Sequence, residues 1–316
     1  MKKYVILFFI SFLVASGFAQ NQKNEPIFSG SYFGQKEPGN SPEVFMPELF
    51  NKYGYLHGRL VFAPGGKEVF WVITTSDKGE NFDKRLFIKQ KPDGTWSEPE
   101  ESFLSIDRKE NGPSYSIDGK RLYYQSRSPL NGDGKNKGID IWYRERNDDE
   151  WSEPVNIGAP VNTSQDESQP FVTSDGSIFF CRNNEKTNAE DKGGSDIYFA
   201  EFKNGKYEEP ICLGPEINSG YQETEPAFAP DGGYLLFISN RPGGYSRMMN
   251  LYVSFRKPEG GWTKAICLSK DLKIDNIWFP TITYDGKYLF FCGGYPTEHG
   301  YNNSNYYWVS INFFEN

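Results

Sequence analysis

The chain has 316 residues, 17% of them aromatic, with many Gly and Pro and a formal net charge of −8. That negative balance disfavours nucleic acid and anionic membrane surfaces as partners. Two histidines are too few for a multi-histidine metal site, and the composition suits short twisted strands and turns better than helices.

In chain order, residues 1–3 are a charged start, 4–14 an apolar run, and Gly17-Phe18-Ala19 a small-residue cleavage site. This pattern predicts a secretory signal peptide over 1–19. Its apolar stretch is short for a membrane span, and no later segment has the length and hydropathy of one. No Cys follows the cleavage site to carry a lipid. A periplasmic or secreted location is therefore expected. Residues 20–41 form a lead segment, and 42–316 are expected to form one all-β domain.

One repeat unit begins at Glu110. A short strand A at 113–116 enters an Asp118-Gly119 hairpin, strand B covers 121–126, a polar loop spans 127–138, and strand C covers 140–143. A turn at 147–150 and Trp151-Ser152-Glu153-Pro154 then lead into strand D, and the pattern restarts at Glu167. The Asp-Gly landmark recurs at Asp118, Asp175, Asp231 and Asp285, at spacings of 57, 56 and 54 residues. Repeats starting near 57, 110, 167, 223 and 277 make five units of four strands, a propeller signature. The last unit stops after its C strand at 306–310. Residues 42–49 match 210–217 with the same Pro-to-Pro spacing, so the N-terminal segment is expected to supply the missing strand. The predicted fold is all-β: a five-bladed β-propeller closed by an N-terminal outer strand completing the last blade.

The core Pro226-Ala227-Phe228-Ala229-Pro230-Asp231-Gly232, continued by Tyr234-Leu235-Leu236-Phe237-Ile238-Ser239, resembles the WD40-like repeat of TolB-type propellers. The same signature shows at 113–126 and more loosely at 280–292, while the first repeat has Gly65-Gly66 in place of Asp-Gly. The resemblance implies the propeller fold; propellers host binding, scaffolding and catalysis alike.

Aligned by repeat, His57, Glu110, Glu167, Glu223 and Ile277 share one position on the links into strand A. These links and the B-to-C loops gather at one channel mouth; the A-to-B and C-to-D turns lie on the opposite face, where no function is expected. Convergence of Glu110, Glu167 and Glu223 with His57 raises at least one carboxyl pKa, a basis for acid–base catalysis. The structural alternative is that a repeated Glu hydrogen-bonds an adjacent blade's strand-A amides, and its recurrence in three blades favours that alternative. Candidate ligand-binding residues are Trp278 and Tyr221 for ring stacking, Arg127 and Arg241 for an anion, and Glu225 on the same links. Arg127 and Arg241 have a structural alternative in pairing with Asp140 or Asp196. No metal site and no cofactor are expected, although Asn131, Asp133 and Asn136 followed by Asp140 have the oxygen spacing of a loose calcium loop. The four Cys are read as unbridged, buried, small apolar residues.

Two function classes lead, ahead of a third reading as a structural component of a larger envelope assembly. The first is an exported, TolB-like binding or interaction module for a protein or polysaccharide ligand at the cell envelope. The alternative is a carbohydrate-active enzyme, a glycoside hydrolase or lyase, using the mouth carboxylates.

Overall fold

The computed structural model describes residues 28–77, 80–105, 110–128, 138–148, 150–184, 194–294 and 304–315. The signal segment, His299 and loop residues 131–136 lie outside the described residues. Five antiparallel sheets form the blades. Blade 2 runs Asn111–Tyr115, Arg121–Ser126, Asp140–Asn147 and Val155–Asn156; blade 3 runs Glu167–Val172, Ile178–Asn184, Gly194–Ala200 and Ile211–Cys212. Blade 4 runs Glu223–Phe228, Tyr234–Ser239, Asn250–Phe255 and Ile266–Cys267. Strand B is the buried centre of each sheet, as in Tyr234–Ser239 and Tyr288–Gly293, where all six residues are buried.

The Asp-Gly hairpins form for the expected reason. Asp118 Oδ1 accepts from the Lys120 amide at 3.0 Å, Asp175 Oδ1 from Ser177 at 3.0 Å and Asp231 Oδ1 from Gly233 at 2.9 Å. The following Gly119, Gly176 and Gly232 take φ of 69, 87 and 80°.

Blade 5 consists of Trp278–Ile282, Tyr288–Gly293 and Asn305–Ser310, with Glu43–Val44 as its outer strand. Glu43 pairs with Trp308 and Val44 with Tyr307. The ring closes with strands from both chain ends, as the Pro-to-Pro match predicts. Blade 1 departs from the others. Its first strand is split into Tyr55–Leu56 and Val61–Phe62, and Glu68–Asp77 and Glu80–Lys89 form a long hairpin, with Glu100–Glu101 outermost.

The seam between blades 5 and 1 is reinforced by the lead segment, to which the sequence assigns no role. The Trp96 amide donates to the Phe28 carbonyl at 3.0 Å, and Trp96 Nε1 donates to the Gly30 carbonyl at 3.0 Å. Phe33 then packs on Trp96, with ring centres 4.3 Å apart, in one cluster with Phe45, Phe50, Phe62, Phe290 and Trp308.

All four Cys are unbridged, and Cys181 and Cys292 are buried on strand B. Cys212 is exposed and Cys267 half-exposed, which corrects the expectation of burial for these two. Both end two-residue outer strands, where one face of the sheet meets solvent.

Candidate functional site

The repeated glutamates sit inside the blades. Glu167 is fully buried; it accepts from the Thr163 amide at 3.0 Å, Thr163 Oγ1 at 2.6 Å and Arg182 Nε at 2.8 Å. Glu223 is built alike, accepting from the Ser219 amide, Ser219 Oγ and Ser239 Oγ, each at 2.7 Å, and from Arg241 Nη2 at 3.1 Å. Arg182 also donates to the Val161 carbonyl and lies over the Phe180 and Tyr198 rings; Arg241 donates to the Ile217 carbonyl and lies over Phe237 and Tyr252. Each is a closed module of carboxylate, guanidinium, hydroxyl and amide. Burial pushes the Glu167 carboxyl up, against the pull of its Thr163 and Arg182 hydrogen bonds.

These bonds are of the structural kind, made to each glutamate's own link in place of an adjacent blade's strand A. Glu167 and Glu223 turn into their own blades, each bonding to the link four residues upstream. Glu110 is 5% exposed and lies in the field of Arg85 from blade 1. Arg241 pairs with Glu223, in place of Asp196, so its guanidinium is committed to the blade. His57 is exposed and meets the edge of Phe279 at 5.8 Å; Arg127 is exposed. Tyr221 is half-buried, and Trp278 packs between two core clusters with its Nε1 donating to Asn276 Oδ1 at 2.8 Å. Of these candidates the structure brings together Arg241 and Glu223, in a closed ion pair. Among the described residues, no three His, Cys, Asp or Glu side chains cluster to hold a metal.

A different set converges in the channel. Strand A carries a bulge in blades 2 to 5, where the register shifts between Asn111 and Ser114, Ser168 and Phe171, Thr224 and Ala227, and Trp278 and Thr281. The bulge residues Gly112, Gln169, Glu225 and Phe279 are left-handed, at φ 63, 52, 56 and 57°. Arg59 holds the repeat-equivalent position in blade 1. It is 2% exposed, and its Nη1 donates to the Pro170 carbonyl at 3.1 Å. Blades 1 and 3 are not neighbours in the ring, so this side chain crosses the channel.

Glu225, from blade 4, is 2% exposed and accepts a short hydrogen bond from the Phe279 amide of blade 5. Burial pushes its carboxyl up to about 7, opposed by that amide and by the charge of Arg59. Burial also lowers the Arg59 guanidinium from its ordinary value, opposed by Glu225. The repeat alignment does carry a signal for this pair. At the bulge position the five repeats read Arg, Gly, Gln, Glu and Phe, and the two charges, at a position uncharged in the other three repeats, mark the site.

On the A-to-B turn face the channel widens into a cavity of about 50 Å³ lined by all five blades, with Arg59 among apolar walls such as Val61, Tyr115, Phe171, Phe228 and Ile282. It adjoins a solvent-open groove of about 1000 Å³ between blades 2 and 3; Ile117, Val172, Thr173 and Ser174 line both. The groove carries charges of both signs. Arg121 pairs with Glu145 at 2.8 Å and Arg146 with Glu68 at 2.6 Å; Asp118, Lys120, Asp148 and Asp175 complete its polar wall. The concavity thus opens on the face where the sequence reading expects no function.

The channel pair has a measurable pH signature. The folded-state pKa of Glu225 lies above the ordinary 4.5. Its contribution to stability is therefore fully present below about pH 4.5 and is lost as pH rises through about 7. Glu225→Gln, which Gln169 shows to be compatible with this backbone, is expected to remove that part of the pH dependence. Urea unfolding at pH 5 and pH 8 checks it; wild type and variant losing equal stability between the two would contradict the burial of an ionising Glu225.

No protein-family model and no curated protein matches the sequence. Solved structures do. A candidate exo-β-1,3-galactanase from Bifidobacterium bifidum s17 aligns with TM-score 0.51 at 12% identity, covering 87% of this chain and 93% of that one. An exo-β-1,3-galactanase from Clostridium thermocellum aligns with TM-score 0.47 at 13% identity, over 86% and 63% of the two chains. A candidate TolB from Agrobacterium tumefaciens aligns with TM-score 0.45 at 18% identity, over 75% and 69%. At 12% identity the likeness to the Bifidobacterium bifidum structure is one of fold, and it agrees with the five-bladed β-propeller that the blade order above shows.

Proposed function

We propose that the protein is an exported, non-catalytic propeller that binds a protein or glycan partner at the cell envelope through its turn face. One observation carries this reading: the turn face holds a concavity in which an apolar well floored by a buried guanidinium opens into a mixed-charge groove. Shape and chemistry of that kind suit an extended ligand with one anchored end. The commitment of Glu167 and Glu223 to closed ion-pair modules speaks against their use as acid and base. Export rests on the signal pattern over 1–19. No helix among the described residues is long and apolar enough to cross a membrane.

The test is paired. The labelled protein is applied to a glycan array and to immobilised envelope proteins, with Ile117→Asp on the turn face and His57→Ala on the opposite face alongside. Binding lost in the first variant and kept in the second is the expected result. In parallel, a polysaccharide panel is read by mass spectrometry; new products that vanish in Glu167→Gln would overturn the non-catalytic reading in favour of the carbohydrate-active one.

A further inference from the structure

We infer that the channel well binds a monocarboxylate with an apolar body, its two oxygens gripped side-on by Nε and Nη2 of Arg59. This deepens the turn-face reading and rests on it for the face that a ligand enters. The guanidinium is 2% exposed, and of its donors Nη1 is used by the Pro170 carbonyl. Nε and Nη2, both buried, have no hydrogen-bond partner in the protein. They are the two donors of one guanidinium edge, the fork that matches a carboxylate in a bidentate pair. Glu225 attracts Arg59 through space, but its hydrogen bond goes to the Phe279 amide, so it leaves that edge unused.

Arg59 lines the well, and two unpaired donors on one edge of its buried guanidinium call for an acceptor. Thr281 Oγ1 is a further buried polar atom without a partner, and Thr281 lines the same well. The Tyr284 hydroxyl is already taken by the Tyr115 carbonyl at 3.2 Å.

Charge and size restrict the ligand. One guanidinium edge offers two donors, which suit a monocarboxylate and are too few for a dianionic phosphate. The well, about 50 Å³, has room for a few water-sized groups at about 10–15 Å³ each. That admits a carboxylate and a short apolar stem against Val61, Tyr115, Phe171, Phe228 and Ile282. The rest of the molecule emerges past Ile117, which is 43% exposed at the rim. A free aliphatic or aromatic acid and the carboxyl terminus of a peptide with an apolar last residue share this chemistry.

Titration calorimetry on the full chain decides it, with sodium hexanoate, sodium phenylacetate, and a short uncharged peptide ending in phenylalanine, supplied as free acid and as C-terminal amide. The free acids are expected to bind, with the amide weaker by about tenfold or more and Arg59→Met weaker by a similar factor. Arg59→Lys, which keeps the charge but not the fork, is expected to fall between them. Ser174→Trp, which places an indole at the mouth, keeps the test alive if Arg59→Met does not fold, and it too is expected to abolish binding. Tighter binding of the peptide acid identifies a chain terminus as the source, and tighter phenylacetate a free acid. No heat with any acid, or equal binding by the amide, by a folded Arg59→Met or by Ser174→Trp, overturns the inference. Acid binding without any partner held on the turn face leaves this inference standing and removes the proposed function; partner binding without acid binding does the reverse.

Discussion

Glu223→Ala is expected to lower the unfolding free energy by about 3–5 kcal/mol, because it strips the partner from a buried charge. The Arg241 guanidinium loses its carboxylate, the Ser219 amide and hydroxyl lose their acceptor, and Ser239 Oγ loses a 2.7 Å bond, all where the carboxylate is fully shielded from water. Glu167→Ala is expected to behave alike through Thr163 and Arg182. Urea unfolding measures the loss. A double-mutant cycle with Arg241→Ala adds the discriminating step: the pair should cost clearly less than the sum of the single changes, since each single change leaves a lone buried partner. A catalytic carboxylate in an open cleft would behave otherwise, and its removal would abolish turnover while leaving the unfolding midpoint nearly unmoved. That outcome would return Glu223 to the role of acid or base.

Phe45→Ala should be almost as damaging, by about 3–5 kcal/mol, the usual cost of emptying a packed aromatic site. Phe45 is fully buried and follows directly on the outer strand Glu43–Val44 that closes the ring. Its ring lies 4.9 Å from both Phe290 and Trp308 and 5.6 Å from Phe50, so it joins the N-terminal segment to blade 5 and to the helical turn Pro47–Phe50. The loss should appear as a lower urea midpoint together with faster proteolysis near the N-terminus, since the strand it anchors is only two residues long. Ile211→Ala, 65% exposed on the equivalent outer strand of blade 3, is the control and is expected to stay within about 0.5 kcal/mol. A Phe45→Ala variant as stable as that control would mean that the seam is held by backbone pairing alone.

The blade count was legible in the sequence because the propeller is written in short-range signals. An Asp-Gly hairpin, a short apolar strand and a polar loop each depend on neighbours a few residues away; Asp118, Asp175, Asp231 and Asp285 mark four blades by their spacing, and Gly65-Gly66 stands at the same turn of the fifth. Ring closure was legible as well, since the outer strand at Glu43–Val44 keeps the Pro-to-Pro spacing of its counterpart at Ile211–Cys212. The candidate site was only partly legible. Glu110, Glu167, Glu223 and His57 share an alignment position, yet alignment does not say which way a side chain turns. For Glu167 and Glu223 it is the hydroxyl and amide four residues upstream, and an arginine from the second strand or just beyond its end, that fix the orientation. The arginines come from positions that are not equivalent by register, Arg182 opposite Glu167 and Arg241 two residues beyond Ser239, so no repeat pattern announces them.

The sequence by itself determined the strands, their turns, the number of blades and the strand that closes the ring, because each follows from local backbone preference and a repeated pattern of burial. Only the tertiary structure decided where a ligand has room and which charges face one another. Arg59 reaches the Pro170 carbonyl across 111 residues of chain, and Glu225 accepts from Phe279 across 54. Those contacts exist because left-handed bulges sit at the channel wall and the ring brings distant blades within a side chain's length of one axis.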